Sequence, residues 1–200
     1  MFAFEIMLAE NVTTDTQSIA RGLRQGDIAV VHALVGQYQY RLVRYLIYLI
    51  GQRDPVDDLV QETWLRVLER GRSYDGNSPF APWLFTIARN LAFDQMRRRP
   101  VLSLDADDDP EHDLEWLSPI SDAPSPFEQA ARTEDARHLV QSLESLQPIY
   151  REALVLRFHE DLSLQQIAAI AGASVSTISS RIQRGLAALR RQMEGADHAH

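Results

Sequence analysis

Leu164-Gln165-Gln166-Ile167-Ala168-Ala169-Ile170-Ala171-Gly172-Ala173-Ser174-Val175-Ser176-Thr177-Ile178 is the stretch that decides what kind of fold this chain adopts. Ser163 just ahead of it and Gln166 within it make a capping-box pair, in which two side chains satisfy the free N–H groups of a helix start. Gly172 stops that helix, and Ser174 caps a second, long helix predicted to run to about Met193. A short helix, a tight glycine turn and an immediate second helix are the layout of a helix-turn-helix. Ala168 is small where the two helices must approach closely. Val175, Ile178, Ile182, Leu186 and Leu189 recur at three and four, which predicts the buried stripe of the second helix. With the cap Ser174, the opposite face displays Ser176, Thr177, Ser179, Ser180, Arg181, Gln183 and Arg184. Short hydroxyls and guanidinium groups near a helix start suit base edges and phosphates in a major groove. The plain alternative is a helical hairpin with a solvated polar face. Against it, residues 163–193 carry 4 Arg and no acid, whereas a solvated face usually mixes signs.

Working outward, the net charge of −8 argues against nucleic acid until its distribution is read. Residues 1–99 carry 12 Arg and 11 acids, residues 136–200 carry 7 Arg and 6 acids, and residues 100–135 carry 1 Arg and 11 acids. The acidity is therefore central, and phosphate contact depends on local charge. The segment from Pro100 to about Pro126, with Asp105, Asp107, Asp108, Asp109 and 5 prolines, reads as an extended acidic linker. It separates an N-terminal domain, 18–99, from a C-terminal one, 130–194, with the linker spanning 100–129. Residues 1–17 form an extension of unassigned role, and 195–200 read as a disordered tail.

Both domains read as helical, so the fold class is all-α with two small helical domains. Asp27 precedes a helix Ile28–Ile50 that Gly51 stops. Asp54-Pro55 opens the next, a cap followed by proline at the first helical position. Ser78-Pro79 opens a helix running to Arg99. On it, Leu84, Ile87, Ala88, Leu91, Ala92 and Gln95 mark the core face. A second stripe holds Trp83, Thr86, Asn90, Phe93 and Arg97. Aromatics interleaved with amides and arginines suit single-stranded DNA, where bases stack and the backbone needs cations. Alternatively Trp83 belongs to the core, and Arg97, Arg98 and Arg99 complement a helix C-terminus. The helix from Pro55 carries Asp57, Asp58 and Glu62, which also interact favourably with a helix dipole; the residues themselves leave that choice open.

Two segments resemble a known family. Asp57-Asp58-Leu59-Val60-Gln61-Glu62-Thr63-Trp64-Leu65-Arg66-Val67, followed by Phe80-Ala81-Pro82-Trp83-Leu84-Phe85-Thr86-Ile87-Ala88-Arg89-Asn90-Leu91-Ala92-Phe93-Asp94, is similar to region 2 of extracytoplasmic-function (ECF) sigma factors. Tyr150-Arg151-Glu152-Ala153-Leu154-Val155-Leu156-Arg157-Phe158, with the helix-turn-helix through Leu186, resembles their region 4. The resemblance implies a factor that binds core RNA polymerase and directs promoter-specific initiation. Asp57, Asp58, Gln61 and Glu62 would meet the clamp helices of the largest subunit, and region 4 the flap of the second subunit. The loop 74–79, with Asn77 and Ser78, and the helix residues Trp83, Thr86, Arg89, Asn90 and Arg97 would open the −10 element and take a flipped base. The helix from Ser174 would read the −35 element of promoter DNA. An anti-sigma factor is a further partner the family implies.

Other classes find little support. No cysteine is present, so disulfides, zinc–thiolate sites and thiol nucleophiles are excluded. No nucleophile elbow, phosphate loop or metal-ligand cluster occurs, and His32, His112, His138 and His159 are scattered. No enzyme activity, metal or cofactor is therefore expected. Met1–Glu10 lacks the basic flank of a signal peptide, and the apolar run Tyr45–Ile50 is too short to cross a bilayer. A cytoplasmic protein without membrane insertion is expected. A conventional helix-turn-helix regulator would share the C-terminal pattern but needs a receiver or ligand-binding domain upstream, where this chain shows helices.

Overall fold

The computed structural model describes residues 15–51, 55–98 and 141–197. Among the described residues every regular element is helical, and no helix is long and apolar enough to cross a membrane. The acidic segment 100–129, the expected cap Asp54, Arg99 and the last three residues lie outside the described residues.

The first element, α1 (Thr16–Gln25), lies in part on the stretch that the sequence left unassigned. Asp15 Oδ1 accepts the N–H of Gln17 at 3.1 Å, and the left-handed Gly26 closes the other end. Its buried set is Ile19, Ala20, Gly22 and Leu23, a narrow inward face on an otherwise polar helix. Helix α2 (Ile28–Ile50) begins and ends as predicted: Asp27 caps Ala29 N at 2.9 Å, and Gly51 is left-handed. Helix α3 (Val56–Arg70) follows Pro55, which occupies the cap position rather than the first turn and makes no side-chain cap bond. A 3-10 turn (Gly71–Ser73) and a loop lead to α4 (Phe80–Arg98).

In the C-terminal half, residues 141–144 are helical and α5 (Pro148–Leu154) widens into a π-helical turn, Val155–His159. Helices α6 (Leu164–Ala171) and α7 (Val175–Asp197) form the predicted helix-turn-helix. Both sides of the capping box are made: Ser163 N donates to Gln166 Oε1 at 2.8 Å, and Gln166 N donates to Ser163 Oγ at 3.3 Å. Helix α7 extends to Asp197, so Asp197 is helical and not part of a frayed tail. Its buried stripe is also rotated from the predicted one. Ile178, Ile182 and Leu189 are buried, but Val175 is 39% exposed and Leu186 40%. Gly185 takes the inward position, because α7 lies so close to α5 that a Cβ there would sit 3.0 Å from Leu154 Cδ1.

The two halves are docked. Tyr45, Phe85, Leu42 and Leu46 from the first half share one continuous core with Leu156, Ile167 and Ile178 from the second. Helix α4 packs on α6, and α2 packs on α5 and its π turn.

Candidate nucleic-acid interface

The start of α7 keeps most of its predicted polar face in solvent. Ser174 Oγ accepts the N–H of Thr177 at 3.1 Å and lies 2.8 Å from the hydroxyls of Ser176 and Thr177, so this hydroxyl is already committed to the cap. Ser176, Thr177, Ser180, Gln183 and Arg184 are exposed and Ser179 is half-buried. Arg181 departs from the expectation. It is half-buried, its Nη1 is enclosed without a hydrogen-bond partner, and its charge pulls down the pKa of the buried Glu152. One helical step rotates position 181 by about 100° from 180 and toward the packed side, whereas 184 stays outside.

The second candidate surface combines the loop 74–79 with one side of α4. Tyr74 OH donates to Ser78 O at 2.6 Å, and its ring meets Phe80 edge-on at 5.5 Å and Trp83 at 5.3 Å. Burial pushes the Tyr74 phenol up to about 12, so it remains a donor at neutral pH. Asp75 accepts from Asn77 N at 2.9 Å and from Asn77 Nδ2 at 2.8 Å; the first of these bonds holds its carboxyl below the ordinary value. Asn77 and Ser78 stay exposed, Trp83 is half-buried, and Asn90 and Arg97 are exposed. Thr86 spends its hydroxyl on Pro82 O at 2.7 Å, and Arg97 pairs with Asp94. Trp83 therefore packs one side on the aromatic cluster and leaves the rest open.

Arg89 is not available on that surface. Its guanidinium lies over the Phe93 ring at 4.4 Å, and its Nε is 2.7 Å from Glu152 Oε1. Glu152 is 1% exposed and also accepts from Tyr45 OH at 3.2 Å. Burial raises the Glu152 carboxyl above its ordinary value; Arg89, Tyr45 and Arg181 oppose that rise. A second pair crosses the same junction, where Arg41 Nε donates to Glu160 Oε2 at 2.8 Å and Glu160 is also buried. Arg151 Nη1 reaches Tyr48 O at 3.3 Å, and its Nη2 donates to Glu144 O and Leu146 O. The contact between halves is thus studded with charge, and its two carboxylates are dry only because the other half supplies arginines.

A third surface lies on α3. Asp57, Asp58 and Gln61 are exposed, while Glu62 pairs with Arg66 at 2.8 Å. The same side continues into Leu65, 52% exposed, and Leu68, 57% exposed. The sequence reading passed over these leucines. They fall outside the inward set Val56, Leu59, Val60, Thr63 and Val67, and that mismatch of phase was the signal. With the acids beside them, these leucines make the exposed side of α3 amphipathic.

Two family models match the chain: Sigma-70 region 2 over residues 34–100, and Sigma-70, region 4 over residues 137–189. The ECF RNA polymerase sigma factor SigW of Bacillus subtilis is 30% identical over 173 residues, covering 86% of this chain and 92% of that protein. The ECF RNA polymerase sigma-E factor of Haemophilus influenzae is 30% identical over 181 residues, covering 88% and 93%. Among solved structures, CnrH in complex with the cytosolic domain of CnrY superposes with a TM-score of 0.67 at 23% identity, covering 91% of this chain and 99% of that one. The sigma factor RpoE, solved with the anti-sigma factor NepR from Bartonella quintana, gives 0.63 at 24% identity, covering 82% and 96%. At that identity the two structures speak for the fold alone.

Proposed function

Since the chain belongs to the ECF RNA polymerase sigma factors and serves promoter-specific transcription initiation, we propose a division of this work among its three surfaces. The α3 face, with Asp57, Asp58, Gln61, Leu65 and Leu68, docks on the clamp helices of core polymerase. Glu62 reaches the same partner after releasing Arg66. The loop 74–79 and the open side of α4, with Asn77, Ser78, Trp83 and Asn90, take the separated strand of the −10 element. Extrusion of a base costs a few kcal/mol, which pocket contacts must offset. The exposed start of α7, with Ser176, Thr177, Ser180 and Arg184, reads the −35 element, and the C-terminal half also meets the flap of the second large subunit. The factor acts by binding, without chemistry of its own, where chromosome and polymerase are found.

The carrying observation is that the exposed α7 face bears hydroxyl, amide and guanidinium groups and no acid, over a stretch matched to region 4. Phosphate contacts there would fix register and base contacts would specify sequence. Use of Arg89 on DNA requires the halves to part, because it now faces Glu152 of the other half. Interfaces built on buried charge suit such opening. Their electrostatic gain is nearly balanced by the desolvation of the ions, so separation returns much of the cost. An anti-sigma partner, of the kind found with the RpoE relative, would act on the same equilibrium.

The test is transcription by purified core polymerase on a promoter selected with this protein, beside a gel shift without polymerase. Core-dependent initiation with weak binding by the free factor is expected. Two small DNA-binding units gain effective concentration only when held at the right spacing. Tight, specific binding by the free protein with no stimulation of initiation would reject the reading in favour of a conventional regulator.

A further inference from the structure

Helix α1 lies ahead of the segment matched to region 2, which begins at residue 34, and no role has so far been attached to it. We infer that α1 is a positioning element for the loop 74–79, with Thr16 and Gln17 fixing that loop in the shape that presents Asn77 and Ser78 to an extruded base. The inference rests on the assignment of this loop to the −10 strand.

Two donors from the first turn of α1 converge on one acceptor in the loop. Thr16 Oγ1 donates to Gly76 O at 2.6 Å, and Gln17 Nε2 donates to the same oxygen at 3.1 Å. The partners are about sixty positions apart in sequence, so local turn chemistry does not account for them. Gly76 is required twice over. Its φ is +75°, and a Cβ there would lie 2.8 Å from Thr16 O and 3.0 Å from Ala20 Cβ. The helix also touches the other end of the connection, where a Cβ on Gly71 would meet Leu23 Cβ at 3.1 Å. The rest of the loop is tied from within, by Tyr74 OH on Ser78 O and by Asp75 on Asn77. After these bonds, the Asn77 and Ser78 side chains stand at the surface.

A loop fixed in advance pays its ordering entropy during folding, so capture of a base need not pay it again. Thr16 and Gln17 are suited to this role rather than to holding the fold. Ile19, Ala20 and Leu23 bury the helix against the core, whereas Gln17 is exposed and Thr16 half-buried.

The experiment uses the full chain with core polymerase and permanganate reactivity of thymines in the −10 element. Thr16→Val combined with Gln17→Leu removes both donors and nearly preserves volume. Loss of two hydrogen bonds of ordinary strength predicts about a tenfold fall in the open-complex equilibrium and a melting temperature lower by about 3–6 °C, with pull-down of core polymerase unchanged. Thr16→Ser keeps the hydroxyl and should restore most of the opening when Gln17 is intact, which a purely structural role would not predict of so small a change. Unchanged opening in the double variant, on a promoter where Asn77→Ala with Ser78→Ala is defective, would overturn the bracing role and leave the loop assignment standing. If the Asn77 and Ser78 variant also opens the promoter normally, the loop assignment fails and takes the inference with it. An equal loss of core association in the double variant would likewise overturn it, since α1 would then support the whole N-terminal half.

Discussion

Replacing Glu152 with Lys should separate the two halves of the free protein. Glu152 is 1% exposed, with Arg89 Nε at 2.7 Å and Tyr45 OH at 3.2 Å on the same oxygen. Lysine sets a further cation in that dry junction, beside Arg89 and Arg181. Breaking a buried pair costs about 3–5 kcal/mol, because the remaining charge is left uncompensated. Even the lower figure multiplies the open population by roughly two orders of magnitude. The chain has no cysteine, so Gln37→Cys on α2 and Arg190→Cys on α7 supply two unique labels at exposed positions. Energy transfer between them should change from a single short-distance population to a broad, longer one in Glu152→Lys. Acidity gives an independent check. Burial raises the Glu152 carboxyl above its ordinary 4.5, so the docked state holds that proton more tightly than the open one. Docking should therefore strengthen as pH falls into the range just above that value, and the gain should be lost as pH rises through the docked-state value. The Glu152→Lys variant should lack this dependence. An unchanged distance distribution in the variant would refute the reasoning, and would mean that Leu154, Leu156 and Ile167 hold the halves by apolar contact alone.

The second ion pair should behave as a pair: Arg41→Glu or Glu160→Arg alone should open the labelled protein, and the two together should close it again; failure of the double reversal would show that each side chain acts through other contacts. Asp58→Arg with Leu68→Ser should weaken association with core polymerase at least tenfold while the circular dichroism spectrum stays helical, and an undiminished pull-down would remove α3 from the docking surface. Trp83→Ala should lower the stability by roughly 2–3 kcal/mol through the aromatic cluster with Tyr74 and Phe80, whereas Asn90→Ala should not. Both should reduce melting of the −10 element, and normal thymine reactivity in Asn90→Ala would remove that stripe from the strand-binding surface. Arg184→Ala should weaken binding to −35 DNA by about 1–3 kcal/mol if it reads a base, or weaken all sequences alike if it holds a phosphate. Arg181→Ala should instead act first on docking, visible as altered energy transfer in the free protein.

Much of this protein is written in signals that reach no more than four residues. Asp27, Ser163 and Ser174 cap their helices because a side-chain oxygen meets an N–H two or three positions on, and such a bond needs no distant partner. The helix-turn-helix, the acids of α3 and the aromatic stripe of α4 are likewise legible from spacing. Helix α1 is legible in the same way, from Asp15 and Gly26 at its ends and a narrow apolar face between them, although the sequence reading passed it over. What the tertiary structure alone decides is which polar residues are free to act. Arg89 and Arg184 look equivalent as sequence, but one is sealed against a glutamate 63 positions away and the other faces water. Leu186 looks inward by periodicity, yet Gly185 lies against α5 because the helices approach too closely for a larger side chain. Thr16 and Gln17 carry no local mark of their meeting with Gly76. Periodicity and capping are properties of one helix, whereas the burial of a charge depends on what another helix brings to it, and no spacing along the chain encodes that.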